Sequence, residues 1–321
     1  MAASSEVRGH ALALITILVW GLTFVSTKVL LGEFEPVEIL FYRFLIGFIA
    51  LFALRPRHIR LSIRQEALCA GAGLAGVTLY FLFENIALVY TTASNVGVIV
   101  AVAPFFTAIV SFFVARDERL RPSFFIGFVI AMAGIVLMSS QGLAGGTLGD
   151  VLAVGAAAVW AVYSVITKKI GTFGHDSIQM TKRTFFWGLL FMIPVLGATG
   201  FQFGIERFAD PLMAANMAFL GLGASALCFV TWNLAIRTLG AVKTSAYIYL
   251  VPVITVAASV AILHEPLTVL IGCGVVLTCA GLVISEWGKP KRTPVDVKGS
   301  DATPAEADGV HHAPQEAEVR P

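Results

Sequence analysis

The chain carries little charge. Asp, Glu, Lys and Arg make up 13% of its 321 residues, whereas an ordinary soluble domain has about 25%. Because a water-facing surface needs more charge than this, the composition excludes a soluble globular protein. Hydrophobic residues make up 57% of the chain. At about 20 apolar residues per membrane crossing, that content suffices for about ten helical spans with short loops, and it leaves little for a soluble catalytic domain.

Motifs for metal, redox or nucleotide chemistry are also missing. The four cysteines lie in apolar runs without metal or redox spacing, and no glycine loop followed by Lys and Ser or Thr is present to bind phosphate. His175 and His264 are isolated, and the adjacent His311 and His312 have no further ligands beside them. We therefore predict no metal site, no cofactor, no enzymatic activity and no ATP-driven transport by this chain alone. The cysteines are Cys69, Cys228, Cys273 and Cys279.

Aromatic residues are absent from residues 288–321, which instead carry five of the 13 prolines and six acids. Such a composition cannot bury enough apolar surface to offset the entropy of ordering the chain. We predict a disordered tail at 288–321 and expect the functional residues before it.

Apolar runs between charged or turn-rich breaks predict an all-α integral membrane protein with ten transmembrane helices. The first run is longer than a signal-peptide core of roughly 7–15 residues and no small-residue cleavage site follows it, so we expect it to remain as a first span. The predicted spans are 11–31, 36–54, 67–90, 94–115, 122–139, 150–167, 177–199, 212–236, 241–263 and 267–287.

Lys and Arg are distributed unevenly between the predicted loops. Basic loops stay on the cytoplasmic side, and with the N-terminus inside, the inner loops hold fifteen basic residues and the outer loops only Arg207. This predicts a multi-pass protein of the cytoplasmic (inner) membrane with both termini, including the tail, in the cytoplasm. This bias by itself explains the basic residues, so no nucleic-acid partner is needed to account for them. The fifteen are Arg8, Arg55, Arg57, Arg60, Arg64, Arg116, Arg119, Arg121, Lys168, Lys169, Arg237, Lys243, Lys289, Lys291 and Arg292.

The first half of the chain recurs in the second half at nearly constant offsets of 140, 148 and 147 residues. Each copy holds five predicted spans, an odd number, so the second copy enters the membrane in the opposite orientation. We therefore predict two inverted five-helix repeats, 10–140 and 149–287, an arrangement typical of secondary transporters with a shared midplane site. The matched residues are Trp20, Thr27, Lys28 and Arg43 with Trp160, Thr167, Lys168 and Arg183; Asn85, Ala87 and Pro104 with Asn233, Ala235 and Pro252; and Glu118, Leu120, Ala133 and Gly134 with Glu265, Leu267, Ala280 and Gly281.

Across residues 10–287 the sequence resembles the EamA family of the drug/metabolite transporter superfamily. This resemblance implies a ten-helix permease of the cytoplasmic membrane whose relatives often export amino acids or other small metabolites. The first copy has Arg119 where the second has Pro266, so the two halves need not gate alike. The residues that carry the resemblance are Trp20, Trp160, the segment from Asn85 through Pro104, the ending from Glu118 to Gly134, and His264, Glu265, Pro266, Leu267, Gly274, Ala280 and Gly281.

Charged residues inside the predicted spans are the first candidates for transport, since a charge in hydrocarbon is costly unless it faces a cavity or a partner. Glu84 is the only acid well inside an apolar run. It is a candidate to carry a proton, to bind a substrate ammonium group, or to form a structural ion pair with Arg43 or Lys28. Arg43 and Arg183 either snorkel to the interface or face an anionic substrate group or a gating carboxylate. We assign gating or charge-pairing roles to Lys28, Arg43 and Arg183.

Aromatic and polar residues near the span centres form the second group of candidates. Trp20 and Trp160 lie deeper than interfacial anchors do, so they either line a cavity or pack between helices. Thr23 and Tyr163 lie one turn beyond them on the same helical faces. Tyr80 lies about one turn before Glu84 and Tyr247 lies inside span nine.

Matched asparagines and prolines complete the set. Asn85 and Asn233 either hydrogen-bond between helices or contact substrate, while Trp232 adjoins Asn233 and so points to a different face. Pro104 and Pro252 remove a backbone hydrogen bond at mid-span and predict helix kinks, whose freed carbonyls could bind polar groups beside a cavity. The predicted substrate-binding residues are Trp20, Thr23, Tyr80, Glu84, Asn85, Trp160, Tyr163, Trp232, Asn233 and Tyr247.

These features predict a secondary active permease that moves small metabolites across the cytoplasmic membrane by alternating access, and the family resemblance implies export of amino acids or related compounds. Its partners would be a small-molecule substrate, the lipid bilayer and protons as a candidate coupling ion. A non-transporting membrane scaffold and an integral-membrane enzyme are the alternatives. A channel is disfavoured because no charged ring or amphipathic pore stripe is visible.

Overall fold

A computed structural model describes residues 2–57, 59–115, 122–139, 146–199 and 201–286. In these ranges every regular element is helical, and the helices pack into one compact unit. The predicted tail at 288–321 lies outside the described residues, as do Arg116, Glu118, Arg119 and Arg121.

The helices of the first half begin at local sequence signals. Pro36 stands in the first turn of its helix, where a missing N–H costs nothing. Ser62 and Thr92 each accept a hydrogen bond from the backbone three residues on and so cap the helices that follow. The helices are α1 (Ala2–Leu30), α2 (Pro36–Leu54), α3 (Ile63–Tyr90), α4 (Ala93–Val100 and Ala103–Ala115) and α5 (Pro122–Ser139).

The helices of the second half follow the same kinds of signal. Asp210 caps a helix that has Pro211 at its first position. Gly240, with φ of 87°, separates two helices, and His264, with φ of 54°, ends the second of them in the left-handed conformation. The helices are α6 (Gly146–Gly171), α7 (Ser177–Thr199), α8 (Pro211–Leu239), α9 (Ala241–Leu263) and α10 (Val269–Glu286).

Seven helices among the described residues are long and apolar enough to cross a membrane, judged by length and composition. They are α1, α2, α3, α4, α6, α8 and α9, and the apolar segments Pro122–Leu137 and Val269–Ile284 are shorter. Helix α7 has the predicted bounds 177–199, but Lys182 and Arg183 lower its hydropathy. The all-helical prediction is confirmed, whereas the count of ten spans stays a prediction.

Helices α3 and α8 share an irregularity. Each contains a π-helical stretch, Leu74–Leu79 in α3 and Phe219–Leu227 in α8. Leu74 and Leu79 correspond to Leu222 and Leu227 at the offset of 148, so the two stretches overlap at matched positions. Such π-turns are rare and are frequent at functional sites.

Helices α4 and α9 are interrupted just before their prolines. In α4 the chain turns at residues 101–102, and Pro104 is the second residue of the next segment. In α9 a 3-10 stretch, Ala246–Leu250, precedes Pro252, which again is the second residue of its segment. In place of the predicted bend inside a continuous helix, each proline starts a new helical segment, where its missing N–H is tolerated.

The two halves of the chain interlock. Helix α1 packs on α8 and α6 packs on α3, so each half's first helix lies against the third helix of the other half. Helices α5 and α10 contact each other at glycines, where a Cβ on Gly134 would lie 2.6 Å from the carbonyl oxygen of Gly274. Gly281 approaches the carbonyl of Gly127 in the same way. Because Gly281 and Gly274 are the 147-residue counterparts of Gly134 and Gly127, this contact is reciprocal.

Candidate functional site

A small cavity lies where both halves meet. Its volume is about 30 Å³, which holds roughly two water molecules. Aromatic and aliphatic side chains form most of its wall, and Arg43 and Glu84 are its charged members. It is lined by Trp20, Thr23 and Phe24 of α1, Arg43 of α2, Tyr80, Phe81 and Glu84 of α3, Val100 of α4, Trp160 of α6, and Ile248 and Val251 of α9.

The aromatic part of the wall joins α1, α3 and α6. The rings of Trp20 and Trp160 meet edge to face with centroids 5.2 Å apart, and Tyr80 lies 4.8 Å from Trp160. The indole N–H of Trp20 donates to the carbonyl of Ala224 at 2.9 Å, whereas the buried Nε1 of Trp160 has no hydrogen-bond partner in the structure. The two matched tryptophans therefore share a place in the wall but differ in hydrogen bonding.

Arg43 is completely buried in the cavity wall. Its Nε donates to Ser225 Oγ at 3.1 Å, and its guanidinium carbon lies 4.1 Å from the centroid of the Phe81 ring. Nη1 and Nη2 have no hydrogen-bond partner. The snorkelling alternative is wrong for Arg43, because the α2–α8 contact holds the side chain inside the bundle.

Glu84 is 1% exposed, and its Oε1 also has no hydrogen-bond partner. It attracts Arg43 electrostatically, but neither Nη of Arg43 is hydrogen-bonded to it. Lys28 is not its partner, since the Lys28 ammonium group donates instead to the carbonyls of Leu88 and Thr91 at the end of α3. Of the two ion-pair partners considered for Glu84, Lys28 is therefore excluded; the lysine instead satisfies helix-end carbonyls, as a cation does at a helix C-terminus.

Five of the predicted substrate-binding residues do not line the cavity. Asn85 donates to the carbonyl of Pro36 at 2.9 Å, and Asn233 accepts from Tyr163 at 2.9 Å while donating to Thr181 at 3.0 Å. These side chains are used in contacts between helices, which is the alternative that the sequence left open for the two asparagines. The five are Asn85, Tyr163, Trp232, Asn233 and Tyr247.

Trp232 and Tyr247 make contacts of a similar kind. Trp232 is buried against Trp20, with ring centroids 5.0 Å apart, and thus supports the cavity wall from behind. The hydroxyl of Tyr247 lies 2.6 Å from Nδ1 of His10 and joins α9 to the beginning of α1.

Arg183, the counterpart of Arg43, lies away from the cavity. Its Nε lies 2.6 Å from Glu66 Oε1, which also accepts from the indole N–H of Trp187 at 2.6 Å. The neighbouring Lys182 donates to the carbonyls of Arg55 and Arg57. Arg183 thus faces a carboxylate, as one alternative anticipated, but that carboxylate is Glu66, which the sequence did not single out.

Several lining residues were missed by sequence reasoning although a signal existed. Phe24 follows Trp20 by one helical turn and Phe81 precedes Glu84 by three residues, so each shares a face with a predicted residue. Val100 and Ile248 are separated by the repeat offset of 148. Ser225, which holds Arg43, carried no such signal because its partner lies on another helix.

Polar contacts converge on the connection between α3 and α4. Glu265, in the loop after α9, accepts from the backbone N–H groups of Ala93 at 2.9 Å and Ser94 at 3.1 Å, and from Ser94 Oγ at 2.5 Å. A carboxylate at a helix N-terminus and the Lys28 ammonium at a C-terminus both complement the helix dipoles. These contacts join the two halves at one end of the bundle.

Arg207, the single basic residue of the predicted outer loops, is also paired. It donates to Glu38 at 2.7 Å, and its guanidinium lies 4.2 Å from the Phe34 ring centroid. The hydrogen bond to Glu38 raises the pKa of Arg207 above its ordinary value, so the guanidinium stays charged.

Metal-binding clusters are absent from the described part of the chain, where no group of three or more His, Cys, Asp or Glu side chains could hold an ion. The four cysteines are free thiols. The cavity itself offers one carboxylate, one guanidinium and aromatic rings, which are groups suited to binding a small polar molecule.

Known proteins resemble this chain over nearly its whole length. A sequence profile of the EamA-like transporter family matches residues 7–140 and again residues 147–287. An uncharacterized transporter of Archaeoglobus fulgidus is 29% identical over 284 residues, covering 86% of this chain and 96% of that protein. A solved crystal structure shares the fold with a TM-score of 0.61 at 21% identity, covering 89% of this chain and 98% of the other.

Two further relatives have names that specify a cargo. A probable amino-acid metabolite efflux pump of Escherichia coli is 28% identical over 298 residues, or 89% of this chain and 97% of that protein. A probable terminal-alkyne amino-acid exporter of Streptantibioticus cattleyicolor is 26% identical over 275 residues, or 84% of this chain and 90% of that protein.

Proposed function

This chain belongs to the EamA-like transporter family, and from that premise we propose that it is a secondary permease that exports amino acids or related small metabolites by alternating access. The resemblance seen in the sequence is thereby confirmed at the level of the family. A multi-pass membrane transporter has a small-molecule substrate and the lipid bilayer as its partners. The cargo, direction and coupling belong to the proposal.

The composition of the cavity wall is the observation that carries this proposal. Trp20 faces Trp160, their rings meeting edge to face, and Val100 and Ile248 line the same cavity; each pair is related by a repeat offset. A site built from matched residues of two inverted halves can open to either side when the halves exchange arrangements. The interrupted helices α4 and α9 reach this site with their breaks, as discontinuous helices do in other secondary transporters.

The proposed architecture is ten transmembrane helices in two inverted repeats, 10–140 and 149–287. It is supported by the two separate matches to the family profile and by the reciprocal glycine contacts of α5 and α10. The basic loops support a cytoplasmic-membrane location with both termini in the cytoplasm.

Export of amino acids is supported by the names of two relatives and by the charges of Arg43 and Glu84 in the cavity. Protons are the proposed coupling ion, with Glu84 as the carrier, because it is the carboxylate among the lining residues. Replacing Glu84 with Gln would then uncouple flux from an imposed pH gradient while exchange of substrate continued.

Reconstitution of the purified chain into lipid vesicles tests the proposal. The vesicles are loaded with one unlabelled amino acid or metabolite at a time, and uptake of the same labelled compound by counterflow is measured, with protein-free vesicles as the control. A permease gives saturable uptake that depends on the internal compound. If no member of a panel of amino acids, amines and carboxylates is exchanged, the permease is excluded and a membrane scaffold or an enzyme is favoured.

A further inference from the structure

Three buried atoms of two cavity-lining residues lack hydrogen-bond partners within the described chain. They are Nη1 and Nη2 of Arg43 and Oε1 of Glu84, and the two side chains are 0% and 1% exposed. Both groups have other contacts, but a buried polar atom without a hydrogen bond is unfavourable, and such atoms call for an explanation such as a ligand that binds there. Arg43 and Glu84 both line the same cavity.

Arg43 and Glu84 attract each other electrostatically, but neither Nη of Arg43 is hydrogen-bonded to the carboxylate. Ser225 holds Nε of Arg43 at 3.1 Å, and the guanidinium lies against the Phe81 ring, 4.1 Å from its centroid. Arg43 is thus positioned from α8 and α3 with its two terminal nitrogens free. Glu84 projects from α3, one turn beyond Tyr80, with one carboxylate oxygen free.

A ligand of only one charge cannot satisfy this arrangement. An amine would pair with Glu84 and leave Arg43 unpaired beside a second cation, and a carboxylate would pair with Arg43 and leave Glu84 unpaired. A ligand with both charges gives each group a partner and keeps the cavity electrically neutral, which avoids the cost of an uncompensated buried charge.

We propose that Arg43 binds the carboxylate and Glu84 the ammonium group of a zwitterionic α-amino acid, so that the site selects zwitterions over simple amines and simple carboxylates. This inference rests on the proposed transport function and assigns the residues that determine its specificity. The guanidinium is suited to the planar carboxylate, which it can bind with two parallel N–H bonds. Trp20, Tyr80 and Trp160 then surround the rest of the substrate.

The second half of the chain supplies an internal comparison. Arg183 occupies the position that matches Arg43, but its guanidinium is paired with Glu66 at 2.6 Å and does not line the cavity. The arginine that has a carboxylate partner lies outside the site, and the arginine without one lies inside it. Arg183 is therefore the matched control for Arg43.

Competition with counterflow in reconstituted vesicles tests the proposal. The labelled probe is the amino acid that gives the largest counterflow, and the competitors are that amino acid, its methyl ester and its N-acetyl derivative. For the wild-type chain, each derivative should compete at least about tenfold more weakly than the zwitterion, since each loses one charged hydrogen-bonding group. Arg43→Gln should abolish the preference over the methyl ester, and Glu84→Gln the preference over the N-acetyl derivative.

Conservative variants separate recognition from folding. Arg43→Lys and Glu84→Asp keep the charges and should keep part of the discrimination, while Arg183→Gln should keep all of it. Equal competition by the zwitterion and both derivatives in the wild-type chain would overturn the assignment, as would unchanged discrimination in Arg43→Gln or Glu84→Gln. Counterflow of amines or carboxylates without any amino acid would also overturn it and leave the permease intact, whereas no counterflow of any compound would contradict the permease itself.

Discussion

Trp20 and Trp160 occupy matched positions, yet their indole N–H groups have different surroundings. Trp20 donates to the carbonyl of Ala224 on α8, and Trp160 has no acceptor in the described structure. The difference makes Trp160 a control for Trp20, because the same substitution removes a hydrogen bond at one position and none at the other.

We expect Trp20→Phe to lower the stability of the protein by about 1 kcal/mol more than Trp160→Phe does, which is the net contribution of a typical buried hydrogen bond. Each variant also loses ring contacts, from a partly buried side chain at Trp20 and from a buried one at Trp160. Thermal unfolding of the detergent-solubilised proteins measures the difference. Equal unfolding temperatures for the two variants would show that the bond to Ala224 contributes nothing to stability.

Sequence reasoning identified only some of the residues that line the cavity. Trp20, Tyr80, Glu84 and Trp160 stood out because polar or large aromatic groups are costly or conspicuous at mid-membrane depth. Asn233 stood out for the same reason but bonds to Tyr163 on α6. The depth of a residue in the membrane can be estimated from sequence. The direction in which its side chain points depends on how each helix is rotated against its neighbours.

At the scale of helices, the contact of α5 with α10 depends on small residues. A Cβ on Gly134 would lie 2.6 Å from the carbonyl oxygen of Gly274, a distance that the backbone must relieve by moving. Nothing lies within 4 Å of a Cβ placed on Gly272, which is also in α10.

We therefore expect Gly134→Ala to destabilise the protein by about 1–3 kcal/mol, as overpacking commonly does. Gly281→Ala should have a similar effect, because its contact with Gly127 is the reciprocal one, and Gly272→Ala should be near neutral. Thermal unfolding in detergent is again the measurement. A Gly134→Ala protein as stable as Gly272→Ala would show that α5 and α10 do not pack as described.

Glu265 and Lys28 satisfy the two helix ends that meet between α3 and α4, and we infer that these contacts hold this end of the bundle closed. We expect Glu265→Ala to open this end more often, since three hydrogen bonds to a carboxylate are lost, each worth about 1.5–3 kcal/mol. With the native cysteines replaced by alanine, a Val100→Cys side chain in the cavity should react at least tenfold faster with a water-soluble maleimide when Glu265 is Ala.

Glu6→Ala is the control for this experiment, because Glu6 pairs with Lys243 at 2.5 Å through exposed side chains away from the Glu265 loop. Surface pairs of that kind contribute little, so labelling at Val100→Cys should stay close to the wild-type rate. A Glu265→Ala protein that labels no faster than Glu6→Ala would contradict a closing role for Glu265.

The sequence located these helices well but not their irregular parts. Spans 36–54, 122–139 and 177–199 agree with the structure at both ends, because Pro, charge and turn residues mark those boundaries. The π-stretches in α3 and α8 were not foreseen. Gly73, just before the first, packs on the backbone of α7, and Gly221, within the second, packs on Ile46 of α2; such contacts between helices leave no local pattern in the sequence. At Pro104 and Pro252 the sequence predicts kinks, whereas the structure has breaks in the helices. A proline shows that a backbone hydrogen bond is lost, but it does not show how the chain runs around that point.

For the molecule as a whole, the repeat offsets predict which residues from the two halves correspond, and the structure adds how the halves interlock. Val100 and Ile248 correspond at 148 residues and both line the cavity. Their neighbours in the sequence are uniformly apolar, so only the packing of α4 and α9 against α1 identifies them as cavity-lining residues. A cavity of about 30 Å³ between such halves is too small for an amino acid, and binding therefore requires the helices to move apart.

Access to this cavity from the two sides of the membrane tests the alternating-access account most directly. Single cysteines are placed at Val100 or Ile248 in a chain whose native cysteines are alanine, and a membrane-impermeant maleimide is applied to spheroplasts or to inverted membrane vesicles. The control is Val253→Cys, which lies on the exposed apolar face of α9 and should not react from either side. The account predicts that both cavity cysteines react from both sides and that transported amino acid protects them. Reaction from one side only, or none from either side, would contradict it.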